Sequence, residues 1–134
     1  MLLLFLIIVV VGLFTSIKIA MIPSENQRYL SLDTLLQLLV LYGTLMVGFG
    51  LIYAILELKG YTVLIEQGAR VVGPFQHTLY TSLYFSAITL LSVGYGDITP
   101  VGIGRGVAII EAVIGYIIPA AFVVRSVVEF EQKS

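Results

Sequence analysis

The chain contains no cysteine, no tryptophan and a single histidine, His77, among its 134 residues. Without cysteine it can form no disulfide, no zinc–thiolate site and no thiol nucleophile. One histidine also excludes a metal cage built from histidines within a single chain. Charged residues make up 11% of the chain, less than half of the roughly 25% that is usual in soluble domains. With a net charge of −1, the sequence predicts no nucleic-acid partner.

Hydrophobic residues are abundant where charge is scarce, at 59% of the chain. A single domain of this length cannot hide so much apolar surface, so a lipid bilayer must cover part of it. Three apolar runs, at residues 1–22, 34–57 and 104–128, are each long enough to cross the roughly 30 Å hydrocarbon core as a helix. We therefore expect an all-α membrane protein with three transmembrane helices.

The first apolar run has a second interpretation, a secretory signal peptide. A signal peptide starts with basic residues and ends at a small-residue cleavage site. This chain starts with Met1-Leu2-Leu3-Leu4, and its first basic residue is Lys18. We therefore interpret residues 1–22 as an additional N-terminal transmembrane helix, followed by a polar connector at 23–33.

Between the second and third runs the sequence is irregular. Residues 58–77 mix polar residues with glycine and proline, which indicates an exposed loop. Residues 78–91 are apolar but too short to cross a bilayer, which suits a re-entrant helix. They lead directly into the six residues SVGYGD at 92–97. A polar tail is expected at 129–134.

The SVGYGD strip cannot continue the helix, since two glycines in five residues weaken it strongly. Non-helical backbone at membrane depth survives only where it is buried in protein or lines a watery cavity. Glycine reaches positive φ, so alternation with Val93 and Tyr95 can turn successive carbonyls to one side. Rings of such oxygens can replace the water shell of a cation.

The segment TLLSVGYGD, from Thr89 to Asp97, resembles the signature of potassium-channel pore domains, whose usual form is Thr-Val-Gly-Tyr-Gly-Asp. The resemblance implies a homotetramer with the potassium-channel pore fold and no enzymatic activity. Its parts would be an outer helix (34–57), a turret (58–77), a pore helix (78–91), a filter (92–97) and an inner helix (104–128). Potassium ions would occupy the filter, and no organic cofactor is implied.

Carried over by position, the resemblance implies that Val93, Gly94, Tyr95 and Gly96 coordinate K⁺ through backbone carbonyls. Ser92 would offer both its carbonyl and its hydroxyl, because it stands where the family usually has threonine. The side chains of Val93 and Tyr95 would point away from the ion into protein. Asp97 would lie at the outer mouth, where four copies concentrate cations.

Three positions of the predicted pore helix depart from the family pattern. Tyr84 and Phe85 stand where tryptophans often brace the filter, and phenylalanine cannot donate a hydrogen bond. Leu91 replaces a second threonine that is common there. Tyr84 and Thr89 are therefore the candidates for filter support on this helix.

The inner helix carries three further candidate residues. Pro119 has no N–H, so the carbonyl of Gly115 loses its helical partner, which predicts either a gating hinge or a fixed bend. Glu111 is an ionisable group in mid-span, which marks it as a functional candidate. It either faces the ion cavity or lies buried behind the filter against polar atoms of the pore helix.

The resemblance also implies a topology, with the filter outside, the C-terminus cytoplasmic, the N-terminus outside and the plasma membrane as the location. Many relatives attach a cytoplasmic regulatory domain or subunit after the inner helix.

A less selective cation channel is the alternative function within transport. An intramembrane aspartyl protease is the alternative among enzymes, since Gly94-Tyr95-Gly96-Asp97 fits the pattern Gly-x-Gly-Asp, although Asp33 is the only other aspartate.

Overall fold

The computed structural model describes residues 32–131 and seven helical residues scattered between positions 4 and 18. The side chains of residues 32–34, 125, 126 and 129–131 are not described. The predicted N-terminal helix at 1–22 and most of the connector at 23–33 therefore lie outside the described residues. Residues 132–134 of the predicted tail lie outside them as well.

Helix α1, Leu32–Leu58, is the predicted outer helix, slightly longer than expected at both ends. Its 27 residues span about 40 Å at 1.5 Å per residue, which exceeds the hydrocarbon thickness of a bilayer. One face is buried at every fourth residue, and the opposite face exposes leucine and valine side chains. The buried stripe consists of Leu41, Leu45, Phe49, Tyr53 and Glu57.

The turret contains a small sheet that the sequence did not predict. Strands β1 (Leu64–Glu66), β2 (Ala69–Arg70) and β3 (Ile98–Pro100) form an antiparallel sheet in the order β2-β1-β3. Gln67 and Gly68 form the hairpin turn, both with positive φ. The predictions of an irregular loop at 58–77 and of an all-α chain are corrected here. Strands of two and three residues carry no readable alternation of polar and apolar side chains.

A buried carboxylate fastens this sheet to the end of α1. Glu57 Oε1 accepts hydrogen bonds from the backbone N–H groups of Val63 at 2.7 Å and Leu64 at 2.8 Å. Its Oε2 lies 3.7 Å from Arg70 Nε, and Arg70 also donates to the Gly60 carbonyl. The last turn of the outer helix therefore fixes the first strand of the turret.

Helix α2, Phe75–Leu90, is the predicted pore helix, and it begins three residues earlier than expected. Pro74 is its N-cap residue, with extended backbone at φ −60° and ψ 156°. The 16 residues span about 24 Å, too short to cross a bilayer. Its buried face is mostly hydroxyl-bearing and packs on α1 near Gly50, where a Cβ would meet Leu83 Cδ2 at 2.7 Å. The buried hydroxyl residues are Thr78, Thr81, Ser82 and Ser86.

Helix α3, Ile103–Glu131, is the predicted inner helix and contains Pro119. It continues through residues 129–131, which were expected to start the tail, because that segment has no glycine or proline to stop it. Among the described residues, Leu35–Leu58 and Ile103–Val124 are long and apolar enough to cross a membrane. The described chain is thus mainly helical, with two candidate spans, one short helix between them and a small sheet.

We expect Glu57→Ala to destabilise the protein, because two buried backbone N–H groups would lose their acceptor. An unsatisfied buried donor costs about 1–3 kcal/mol, so the loss is expected at the upper end of that range or above. Glu57→Gln keeps an acceptor oxygen and should recover part of the stability. Thermal unfolding in detergent measures the difference, with Glu66→Ala as the matched control. Equal melting temperatures for Glu57→Ala and Glu66→Ala would contradict this role.

Candidate functional site

The SVGYGD strip connects α2 to β3, and the φ angles of its backbone alternate in sign. Ser92, Gly94 and Gly96 have φ values of +57°, +56° and +80°, whereas Val93 and Tyr95 have negative φ. A left-handed residue at every second position is the conformation that brings successive carbonyls toward one side of an extended chain. The two glycines behave as the sequence predicted. The positive φ of Ser92 was not predicted, since left-handed backbone is unfavourable for residues with a Cβ.

Hydrogen bonds at the end of α2 explain the conformation of Ser92. The Ser92 N–H donates to the Thr89 carbonyl at 3.1 Å, and the Val93 N–H donates to the Ile88 carbonyl at 2.8 Å. These two bonds form a Schellman motif, in which the first residue beyond the helix adopts positive φ. Ser92 takes the place that glycine usually fills there. The innermost residue of the strip is therefore also the C-terminal cap of the pore helix, and Thr89 supports the strip through its carbonyl.

The outer end of the strip is held by a side chain of α2 and by the turret. The Tyr84 hydroxyl donates to Asp97 Oδ2 at 2.8 Å. This hydrogen bond raises the pKa of the Tyr84 hydroxyl, so the phenol stays protonated as the donor. The Gln67 N–H donates to the Asp97 carbonyl at 3.2 Å, and β3 starts at the next residue. Tyr84 thus supplies a hydrogen-bond donor from α2 to the outer end of the strip.

Behind the strip, aromatic and acidic side chains join the three helices. Phe85 packs edge-on against Tyr53 of α1, with ring centroids 5.1 Å apart and planes at 83°. Glu111 of α3 has no exposed surface even in a single chain. The Tyr53 hydroxyl donates to Glu111 Oε2 at 2.8 Å, and Glu111 Oε1 contacts the Ser86 hydroxyl. In the single chain, Glu111 thus lies buried against the pore helix and the outer helix, which favours the second of the two open interpretations.

Gly115 and Pro119 lie where α3 passes the end of α2. The Gly115 carbonyl, which Pro119 cannot pair, accepts a 2.7 Å hydrogen bond from the Tyr42 hydroxyl of α1. A Cβ at Gly115 would overlap the Leu90 carbonyl. The glycine is therefore required by close packing, and its lost helical bond is replaced from the neighbouring helix. The structure shows one continuous helix through this point, so the hinge remains a prediction.

A cavity of about 800 Å³ lies beneath the strip, between α1 and α3. Its roof is formed by Leu90, Leu91 and Ser92, and its wall includes Gly115 and Pro119. The lining is mostly apolar. The cavity thus brings together the inner end of the strip and both hinge candidates, and it excludes Glu111.

Sequence reasoning missed the partners that hold the candidate residues in place. These partners are Tyr42, Tyr53, Glu57 and Ser86. Tyr42 was visible as a polar exception in an apolar helix, and Ser86 as a hydroxyl on the pore helix. The pairing of Tyr42, Tyr53 and Ser86 was not visible, because their bonds join residues that are far apart in the chain. The bonds of Glu57 are close in sequence, but they depend on the turn that follows α1.

Comparison with known proteins agrees with this architecture. A family model described as "Ion channel" matches residues 40–132. Protein LctB from Geobacillus stearothermophilus is 45% identical over 125 residues, which cover 93% of this chain and 92% of the relative. Protein LctB from Bacillus caldotenax is 41% identical over the same shares of both chains. Among solved structures there is no significant match.

Gly115→Ala should lower stability, because the new methyl group would overlap the Leu90 carbonyl. Overpacking of this kind typically costs about 1–3 kcal/mol. Gly106→Ala is the matched control in the same helix, since a Cβ there meets nothing within 4 Å. It should be neutral or stabilising by up to about 1 kcal/mol through helix propensity. Thermal unfolding with the two variants indistinguishable would argue against close packing at Gly115.

Proposed function

Because this chain belongs to the ion-channel family, we propose that it is a potassium-selective channel that conducts K⁺ passively down its gradient. The observation that supports this most directly is the alternation of positive and negative φ angles along the backbone from Ser92 to Gly96. That conformation presents a ladder of carbonyl oxygens, the ligand that replaces water around K⁺ in selective filters. The strip is held at its inner end by the α2 cap and at its outer end by Tyr84 and the turret.

In this mechanism K⁺ is the transported substrate and no organic cofactor takes part. An ion sheds its water and passes between oxygen rings formed by the carbonyls of Val93, Gly94, Tyr95 and Gly96. Ser92 adds its carbonyl and hydroxyl at the innermost ring. At the outer mouth, copies of Asp97 raise the local cation concentration, and Tyr84 fixes the orientation of that carboxylate.

One strip cannot enclose an ion, so the function requires several copies around an axis. In a single chain the side chains of Val93 and Tyr95 are 48% and 72% exposed. If their carbonyls face the ion, these side chains need protein on the other side, which a neighbouring subunit supplies. We propose a homotetramer in the plasma membrane, with the filter and the N-terminus outside and the C-terminus cytoplasmic. A cytoplasmic regulatory domain or subunit would act on the inner helices.

Two alternatives rank below this proposal. A less selective cation channel is disfavoured by the intact Gly94-Tyr95-Gly96. Membership of an ion-channel family makes the chain a channel protein and not an enzyme. The protease interpretation also needs two carboxylates at one site. Helix α1 is about 40 Å long, and Asp33 lies at its start. Asp97 is hydrogen-bonded to the turret, which follows the other end of α1, so the two aspartates are far apart.

Purified protein in liposomes tests conduction and selectivity. With opposed K⁺ and Na⁺ gradients, the reversal potential should follow the K⁺ equilibrium potential, and Ba²⁺ should block the flux. Gly96→Ala should abolish selective flux, because a Cβ at φ +80° is strained by roughly 1–2 kcal/mol. Gly43→Ala is the matched control, since a Cβ there meets nothing within 4 Å. A reversal potential midway between the two ions would favour the less selective channel, and no flux would contradict the proposal.

Tyr42→Phe and Pro119→Ala test whether the inner helix hinges. Pro119→Ala restores an N–H for the Gly115 carbonyl and should lower the open probability if bending there opens the pore. Tyr42→Phe removes the hydroxyl that now pairs with this carbonyl, so it should shift gating in the same assay. Single-channel recording measures both, with Tyr61→Phe in the turret as the control. Unchanged open probability in both variants would support a fixed bend.

A further inference from the structure

The hydroxyl of Ser86 lies between two oxygen atoms, and it has one hydrogen to give. Ser86 Oγ is within 2.9 Å of the Met46 carbonyl of α1, and it also contacts Glu111 Oε1 of α3. Ser86 and Glu111 have no exposed surface, and Met46 is partly buried. A carbonyl oxygen can only accept a hydrogen bond, and so can an ionised carboxylate.

An ionised Glu111 would leave this arrangement one hydrogen short. Ser86 could donate to Met46 or to Glu111, and the other contact would then bring two acceptor oxygens together without a proton. A proton on Glu111 Oε1 removes the conflict. Glu111 then donates to Ser86, Ser86 donates to the Met46 carbonyl, and Tyr53 donates to Glu111 Oε2. Each hydrogen has one acceptor, and the bonds form a continuous chain from α3 through α2 to α1.

The charges around Glu111 agree with a neutral acid. Among the described residues, neither the ion pair of Arg70 with Glu57 nor that of His77 with Glu66 includes Glu111. The outer helix presents Tyr53 to it, and the pore helix presents Ser86, which does not titrate. An unpaired carboxylate in such a site would carry a large desolvation cost.

We propose that Glu111 is a protonated positioning residue, which fixes the pore helix between the outer and inner helices through the chain Glu111–Ser86–Met46. When its O–H bond breaks and the proton passes to solvent, one link of this chain is lost and a charge remains buried. Ser86 lies on α2 only six residues before Ser92, the residue that caps this helix and begins the filter. Loss of the proton therefore loosens the support of the filter, and conduction should decline as pH rises. This last consequence rests on the proposed channel function.

Infrared difference spectroscopy tests the protonation itself and needs only folded protein in detergent or lipid. At neutral pH the wild type should show the carbonyl band of a buried carboxylic acid that is absent from Glu111→Gln. Glu66→Gln, which alters a partly exposed carboxylate, is the control and should keep the band. If Glu111→Gln leaves the acid band unchanged, and instead removes a carboxylate band, Glu111 is ionised and the proposal fails whether or not the protein conducts.

A pH profile of ion flux tests the positioning role. The side-chain amide of Gln can donate to Ser86 and accept from Tyr53, so Glu111→Gln should conduct like the wild type at neutral pH. It should also lose the alkaline decline, because its amide cannot release the proton. Ser86→Ala breaks the chain and should reduce flux at every pH. A Glu111→Gln variant that declines with pH like the wild type would overturn the positioning role.

Discussion

The structure depends on one constraint, that backbone polar groups inside a membrane must be satisfied by protein or by a watery passage. The strip from Ser92 to Gly96 is the one stretch between α2 and β3 that makes no regular secondary structure. Its two ends are therefore fixed by hydrogen bonds, a Schellman cap on α2 and the sheet pairing that begins after Asp97. In the proposed channel the carbonyls between these ends are the ligands of the ion, so a stretch without secondary structure has a function there.

The helices around the strip are joined by polar contacts inside an apolar frame. Tyr42 and Tyr53 of α1 are eleven residues apart, just over three full turns, so both point from the same face toward α3. Each satisfies a group that α3 cannot satisfy itself, the Gly115 carbonyl and the Glu111 carboxyl group. In a bilayer, where lipid competes equally for apolar surface, hydrogen bonds and close contacts at small residues decide how helices associate. Gly50 and Gly115 provide those contacts on the two sides of the pore helix.

The sequence predicted the features that depend on local chemistry. Long apolar runs gave the two described spans, the short run gave α2, and Gly94 and Gly96 gave the left-handed residues of the strip. The features it did not predict arise from contacts between distant segments. β3 pairs with β1 some thirty residues earlier, and Ser92 accepts positive φ because of the cap at Thr89 and Ile88. Glu111 was recognised as unusual, but its location required the packing of three helices, which no single periodicity encodes.

The double role of Ser92 also fixes the register of the pore. Because the same residue ends the helix and starts the strip, no spacer absorbs a change in the length of α2. One residue inserted into that helix would turn its end by about 100° and advance it by about 1.5 Å. In the proposed homotetramer the strip would then leave the symmetry axis, while β3 still held its other end. The number of residues in α2 is therefore constrained. A channel built this way can vary the length of its turret and of its termini far more freely.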